Sequence, residues 1–220
     1  MSDFTLWDIY RNLLLALRWT VGLSAIAFIG GGIVGGILLV LRLSKRAWLQ
    51  RFVVLYINLF QGTPLLLQLF LTYFGLGLFG IETSPLFAAS ICLTLYASAF
   101  LTEIWRGSVN AIARQQWEAA ASLALSFGEQ LRYVILPQAL RIAIAPTVGF
   151  MVQAVKATAL ASVIGFVELT RSGQIIANAT FSPFLVYGSV AILYFILCFP
   201  LSWWSRHLEK RLNRGGQRHD

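Results

Sequence analysis

Charge is what this sequence has least of. Only 12% of its 220 residues are Asp, Glu, Lys or Arg, against 58% hydrophobic. A water-facing surface needs about a quarter charged residues, so an ordinary soluble domain is excluded. Histidine is nearly absent as well: His207 and His219 both fall in the tail. With the nine acids scattered, no paired carboxylates, Ser–His pair or metal-ligand cluster emerges, and neither a catalytic nor a metal site is expected. The two cysteines, Cys92 and Cys198, sit inside apolar stretches with no ligand spacing or pairing framework, which fits small buried hydrophobes. No Gly-x-x-x-x-Gly-Lys-Ser/Thr loop occurs, so any nucleotide energy is expected from another polypeptide. The start, Met-Ser-Asp-Phe-Thr-Leu-Trp-Asp, is acidic and lacks the basic segment of a cleavable signal peptide.

Long apolar runs are what the chain has instead. A helix needs roughly 20 mostly apolar residues to cross a bilayer. Five runs qualify: residues 19–41, 52–79, 85–101, 142–155 and 183–204. The fourth is short, begins near Pro146 and extends back toward Pro137. The fold expected is therefore an all-α membrane protein of five transmembrane helices, forming one domain over residues 1–220.

The basic residues orient it. Thirteen of the seventeen Lys and Arg fall in three segments: the link after the first run (Arg42, Lys45, Arg46, Arg51), the link after the third (Arg106, Arg114, Arg132, Arg141) and the tail (Arg206, Lys210, Arg211, Arg214, Arg218). Positive residues gather on the cytoplasmic side. Five spans then place the N-terminus in the periplasm and the C-terminus in the cytoplasm, in a bacterial inner membrane. The net charge of +8 thus reflects topology and contact with anionic lipid rather than nucleic acid, because the basic residues lie between apolar runs.

Gly30-Gly31-Gly32-Ile33-Val34-Gly35-Gly36 lacks the strand and Lys-Ser/Thr of a phosphate cradle. Gly31 with Gly35, and Gly32 with Gly36, instead carry the four-residue spacing that lets membrane helices approach closely.

The link of residues 106–141 is too long for a turn. Trp117-Glu118-Ala119-Ala120-Ala121-Ser122-Leu123-Ala124-Leu125 is rich in helix formers; Ser126-Phe127-Gly128-Glu129 interrupts it, with Ser126 as an N-cap and Glu129 as its capping-box partner. A second helical stretch runs from Gln130 to Leu136-Pro137. The link thus reads as helix, corner, helix: either a connector resting on headgroups or a docking element.

Glu118-Ala119-Ala120, three residues, Ala124, nine residues and Val134-Ile135-Leu136-Pro137 together resemble the EAA loop of permease subunits in bacterial ATP-binding-cassette importers. Four further motifs resemble the polar amino acid branch of that family: Gln61-Gly62-Thr63-Pro64-Leu65-Leu66-Leu67-Gln68 with Tyr73-Phe74-Gly75, Glu103-Ile104-Trp105-Arg106-Gly107, Pro137-Gln138-Ala139-Leu140-Arg141, and Lys156-Ala157-Thr158-Ala159-Leu160 leading to Glu168-Leu169-Thr170. The resemblance implies the pathway subunit of an ATP-driven importer for a polar amino acid, with no cofactor in this chain and with ATP and Mg bound by a partner ATPase. It implies as partners two such ATPases, a second permease subunit and a periplasmic or lipid-anchored solute-binding protein. Glu118, Ala119, Ala120, Ala124, Gly128 and Pro137 would then form the cytoplasmic coupling loop between the third and fourth helices. Where the family has Gly, this chain has Ala124, which resists a positive φ; Gly128 is the other source of flexibility in the corner.

Six residues are candidates for the substrate pathway: Thr63, Pro64, Gln68, Lys156, Thr158 and Glu168. Thr63-Pro64 either frees a backbone carbonyl or starts a helix. Lys156 either meets a carboxylate or snorkels to the outer interface. Glu168 either pairs locally with Arg171 or lines an outer gate. Family members often carry an acidic residue after this Lys; Ala157 in its place points away from arginine-type substrates toward glutamine- or glutamate-like ones. A secondary transporter would show an inverted repeat and paired intramembrane carboxylates, and a membrane enzyme would need a catalytic cluster. The sequence has neither.

Overall fold

The computed structural model describes residues 5–216, with side chains to residue 212, and every regular element among them is helical. Arg218 and His219 lie outside the described residues, as do the side chains of Arg214 and its neighbours. Helix α1 (Leu6–Arg42) starts at a capping box in which Thr5 and Asp8 satisfy each other's backbone N–H. Then follow α2 (Ala47–Gly62), α3 (Leu65–Leu78), α4 (Pro85–Asn110), α5 (Arg114–Ser122) and the single turn α6 (Phe127–Glu129). A π-helical turn (Gln130–Ile135) leads into α7 (Leu136–Ala157), which tightens to a 3₁₀ segment (Thr158–Ile164). Helices α8 (Leu169–Thr180) and α9 (Pro183–Gly216) complete the chain.

Four helical runs are long and apolar enough to cross a membrane: Leu6–Arg42, Pro85–Asn110, Phe127–Ile164 and Pro183–Leu212. The expected second span differs. Its run is not one helix but the pair α2 and α3, bent by 103°. The physical cause is local. Pro64 has no N–H and pushes Thr63 out of the helical region, to φ −116° and ψ 145°. The other expected spans are cores of longer helices. The first starts at Leu6 rather than 19, and the third runs on through Glu103 to Asn110, taking Arg106 out of the link. The fourth lengthens from 142–155 to a helix beginning at Leu136, where Pro137 sits in the tolerated first turn.

The glycine cluster sets a close contact between α1 and α4. A Cβ on Gly31 would lie 2.6 Å from the Ala97 Cβ, and one on Gly35 would lie 3.1 Å from the Ser98 carbonyl. Thr102 Oγ1 donates to the Gly35 carbonyl across the same seam at 3.2 Å. Gly32 and Gly36 face the Trp105 ring with room to spare. Large side chains such as Leu78 and Phe184 stand 89% and 95% exposed, which a hydrocarbon surround accommodates and water does not.

Gly31→Ala is expected to destabilise the detergent-solubilised protein by about 1–3 kcal/mol through overpacking. Gly32→Ala is expected to be neutral or stabilising, and thermal unfolding of the two variants separates them.

Candidate functional site

The link between α4 and α7 folds as a helical corner. Helix α5 ends in a Schellman motif: the Ala124 N–H donates to the Ala121 carbonyl at 2.9 Å and the Leu125 N–H to the Ala120 carbonyl at 3.4 Å. This motif needs a left-handed residue at Ala124, and Ala124 adopts it with φ 58°. Alanine therefore makes the turn where a glycine was expected, at a cost of about 1 kcal/mol for the Cβ. Gly128, the alternative source of flexibility, has no positive φ and open space at its Cβ, so it does not make the corner. Ser126 and Glu129 form the expected capping box, the Ser126 N–H donating to Glu129 Oε2 at 2.8 Å.

Side chains fix the corner to the helices behind it. Trp117 stacks on Phe127 at 6.0 Å, and Lys45 from the first link lies over the same Phe127 ring at 5.5 Å. Val109, Ile112, Ile135 and Ala139 form a buried cluster that Leu43 and Trp117 join. Gln138 Nε2 reaches Gln116 Oε1 at 3.2 Å. Of the Glu118-Ala119-Ala120 triplet, Ala120 is buried toward this cluster while Glu118 and Ala119 are exposed. Glu118 meets only Arg114, at 2.9 Å on an open surface. One face of α5 is thus anchored and the other is free for a partner. Pro137 is exposed at the foot of α7.

The six pathway candidates do not converge. Thr63 and Pro64 are exposed at the break between α2 and α3. Gln68 is buried behind it and stitches the break together, its Nε2 reaching the Phe60 carbonyl at 2.9 Å and the Thr63 carbonyl at 3.0 Å. Thr63 Oγ1 returns a bond to the Leu59 carbonyl at 2.7 Å. Thr158 is fully buried, its hydroxyl donating to the Val155 carbonyl at 2.7 Å.

Glu168 does not pair with Arg171 in the way the spacing suggests. The Arg171 guanidinium bonds Gln174 instead, and Glu168 is wholly buried as the N-cap of α8. Its Oε1 accepts from the Arg171 backbone N–H at 2.9 Å, and its Oε2 from Tyr194 at 2.9 Å and Thr20 at 3.3 Å. Burial pushes the carboxyl pKa up, while the backbone N–H groups of Thr170 and Arg171 and the Tyr194 and Thr20 hydroxyls pull it back. The residue is therefore a clasp joining α1, α8 and α9. Thr20 and Tyr194, its partners, carry no sequence signal, since both lie in apolar runs far from Glu168 in the chain. Lys156 borders an open groove of about 770 Å³ between α7 and α9.

Two predictions follow from this geometry. Ala124→Gly relieves the left-handed alanine and is expected to slow hydrogen exchange across the corner by about 0.5–1 kcal/mol, with Gly128→Ala neutral. Glu168→Ala removes the acceptor shared by the Arg171 N–H and the Tyr194 and Thr20 hydroxyls and is expected to cost about 2–4 kcal/mol in thermal unfolding, with Glu168→Gln costing less.

The comparisons with known proteins give this arrangement a family. Residues 9–214 match the family of binding-protein-dependent transport system inner membrane components. The probable amino-acid ABC transporter permease protein YckA of Bacillus subtilis is 34% identical over 93% of this chain and 95% of its own. The glutamine transport system permease protein GlnP of Escherichia coli is 33% identical over 94% and 95% respectively. A crystal structure of an amino acid ABC transporter with histidines superposes with a TM-score of 0.89 at 30% identity, covering 96% of this chain and 99% of that one. The chain belongs to the binding-protein-dependent transport system inner membrane components, among the amino acid ABC transporter permeases.

Proposed function

We propose that this chain forms the membrane pathway of an ATP-driven importer for a polar amino acid of the glutamine or glutamate kind. The observation that carries the reading is the α5 corner, with one face packed on Val109, Ile112 and Ile135 and the other presenting Glu118, Ala119 and Leu123 outward. A short helix so built suits a cleft on a separate ATPase, and its anchoring means that a push on α5 reaches α4 and α7. Under this reading the link faces the cytoplasm and the N-terminus the periplasm of a bacterial inner membrane. A chain of five spans is too small to enclose a gated path, so a second permease, identical or paralogous, completes it. A solute-binding protein delivers the amino acid from outside. ATP and Mg are bound by the partner ATPase, and this chain performs no chemistry.

The pathway residues take graded roles in the proposal. Lys156 offers a cation to the substrate, and Thr63 and Pro64 offer the exposed break. Gln68, Thr158 and Glu168 act from behind by holding those positions.

Glu118→Lys reverses the charge on the free face while disturbing only an exposed ion pair, whose worth is small. In proteoliposomes holding the assembled transporter and its binding protein, this variant is expected to lose at least about tenfold in ATP-driven amino acid uptake while inserting normally in the membrane. Uptake at the parental rate would remove the coupling role.

A further inference from the structure

A separate opening lies between α1, α7 and α9, starting one turn beyond the Thr20 and Tyr194 contacts of the Glu168 clasp. It holds about 250 Å³ and is bordered by Val21, Ala25 and Ile29 of α1, Met151 of α7, and Leu197 and Leu201 of α9. The one hydroxyl on its wall, that of Ser24, is engaged with the Thr20 carbonyl of its own helix at 2.6 Å. Ala154 and Val155 of its lining are buried, whereas Val21, Ala25 and Ile29 stand exposed along its open side. From Val21 to Ile29 it runs about 12 Å at 1.5 Å per residue.

The same stripe of α1 begins with a cation. Arg18 precedes Val21, Ala25 and Ile29 by three, seven and eleven residues, a spacing that keeps all four on one helix face. Helical side chains lean toward the start of their helix, so the Arg18 head stands beyond the mouth of the opening rather than inside it. Arg18 is exposed, lies over the Trp19 ring at 5.7 Å, and takes part in neither ion pair among the described residues, Arg106–Glu103 and Arg114–Glu118. The two acids on the surrounding elements are engaged elsewhere. Asp8 caps Thr5, and Glu168 is enclosed by Thr20, Tyr194 and the Arg171 N–H. Nor does Arg18 belong to the three basic segments that orient the chain, so topology does not account for it.

A void among apolar side chains is costly when empty, because its lining loses contacts on one side. Its occupant is apolar along the opening and anionic at the Arg18 end. An amino acid finds no free polar group there to receive its ammonium or carboxylate. A helix of a second copy, about 10–12 Å across, is too wide for the space. We infer that the opening between α1, α7 and α9 holds one acyl chain of an anionic phospholipid whose phosphate pairs with Arg18. The guanidinium fork matches a phosphate with two parallel hydrogen bonds, and the chain fills what the three helices leave open. The lipid thereby wedges α1 against α7 and α9 where the clasp ends. This site is independent of which solute the protein carries.

The test uses the full chain, delipidated in a neutral detergent and titrated by native mass spectrometry with dioleoyl phosphatidylglycerol, dioleoylglycerol and glycerol phosphate. One phosphatidylglycerol is expected to bind tightly, with the uncharged dioleoylglycerol and the chainless glycerol phosphate each at least about tenfold weaker. Arg18→Gln is expected to bring phosphatidylglycerol down to the level of dioleoylglycerol, and Arg18→Lys to retain part of the difference. Arg18 is exposed, so this substitution leaves the packing of the helices intact. Ala25→Phe, which fills the opening, is expected to weaken both lipids, and Arg51→Gln, outside it, to change neither. Thermal unfolding gives a second reading: phosphatidylglycerol is expected to raise the midpoint of the wild type and not that of Arg18→Gln. Equal binding of phosphatidylglycerol and dioleoylglycerol by the wild type would overturn the inference, as would phosphatidylglycerol binding unchanged in Arg18→Gln or in Ala25→Phe. A disulfide between two copies of Ala25→Cys in membranes would overturn it too, by showing that a second chain covers the opening.

Discussion

A helix that stops inside an apolar layer leaves carbonyls and amides with no water to receive them, and the chain must satisfy them itself. Three helix ends show how the chain closes them with its own groups. At Gly62-Thr63-Pro64 the repair is made by side chains, with Gln68 reaching back to the Phe60 and Thr63 carbonyls and Thr63 to that of Leu59. At the start of α8 a buried carboxylate, Glu168, caps its own helix and collects hydroxyls from α1 and α9. At the α5 corner a Schellman motif closes the helix end, and an alanine accepts the left-handed geometry to make it. Each repair spends polar groups locally.

The same repairs connect distant parts of the fold. Tyr194 belongs to the Glu168 clasp and also borders the α7–α9 groove. Trp117 belongs to the α5 corner and also joins the cluster at the ends of α4 and α7. The corner and the groove therefore share one helix, α7, whose foot packs on α5 and whose far end carries Lys156. The proposed transmission of motion requires no more than that α7 move as a body with the corner.

Much of this architecture was legible in the sequence, because burial in hydrocarbon leaves a composition signal that needs no tertiary knowledge. The apolar runs located the four long helices and the bent α2–α3 pair, the Gly31–Gly35 spacing located the close-packing face of α1, and Ser126 with Glu129 located the second half of the corner. Helix ends were less legible. Arg106 reads as link, yet it pairs with Glu103 through two nitrogens and stays helical. The 103° bend at Pro64 was hidden because Pro tolerates both a kink and a fresh helix start. The partners of Glu168 were illegible for a different reason. Thr20 and Tyr194 lie 148 and 26 residues away, and pairing over such separations leaves no local trace.

The central claim, that the free face of α5 meets a separate ATPase, is tested most directly by proximity. Leu123 is 75% exposed on that corner, while the native Cys92 and Cys198 are buried and leave a new thiol unopposed. A Leu123→Cys permease, assembled with its ATPase in membranes, is treated with a short bifunctional thiol–amine cross-linker. The account predicts a cross-linked permease–ATPase band from Leu123→Cys and none from Phe181→Cys, which is equally open but lies in the turn between α8 and α9. No band from Leu123→Cys in an assembled complex, or equal bands from both, would contradict it.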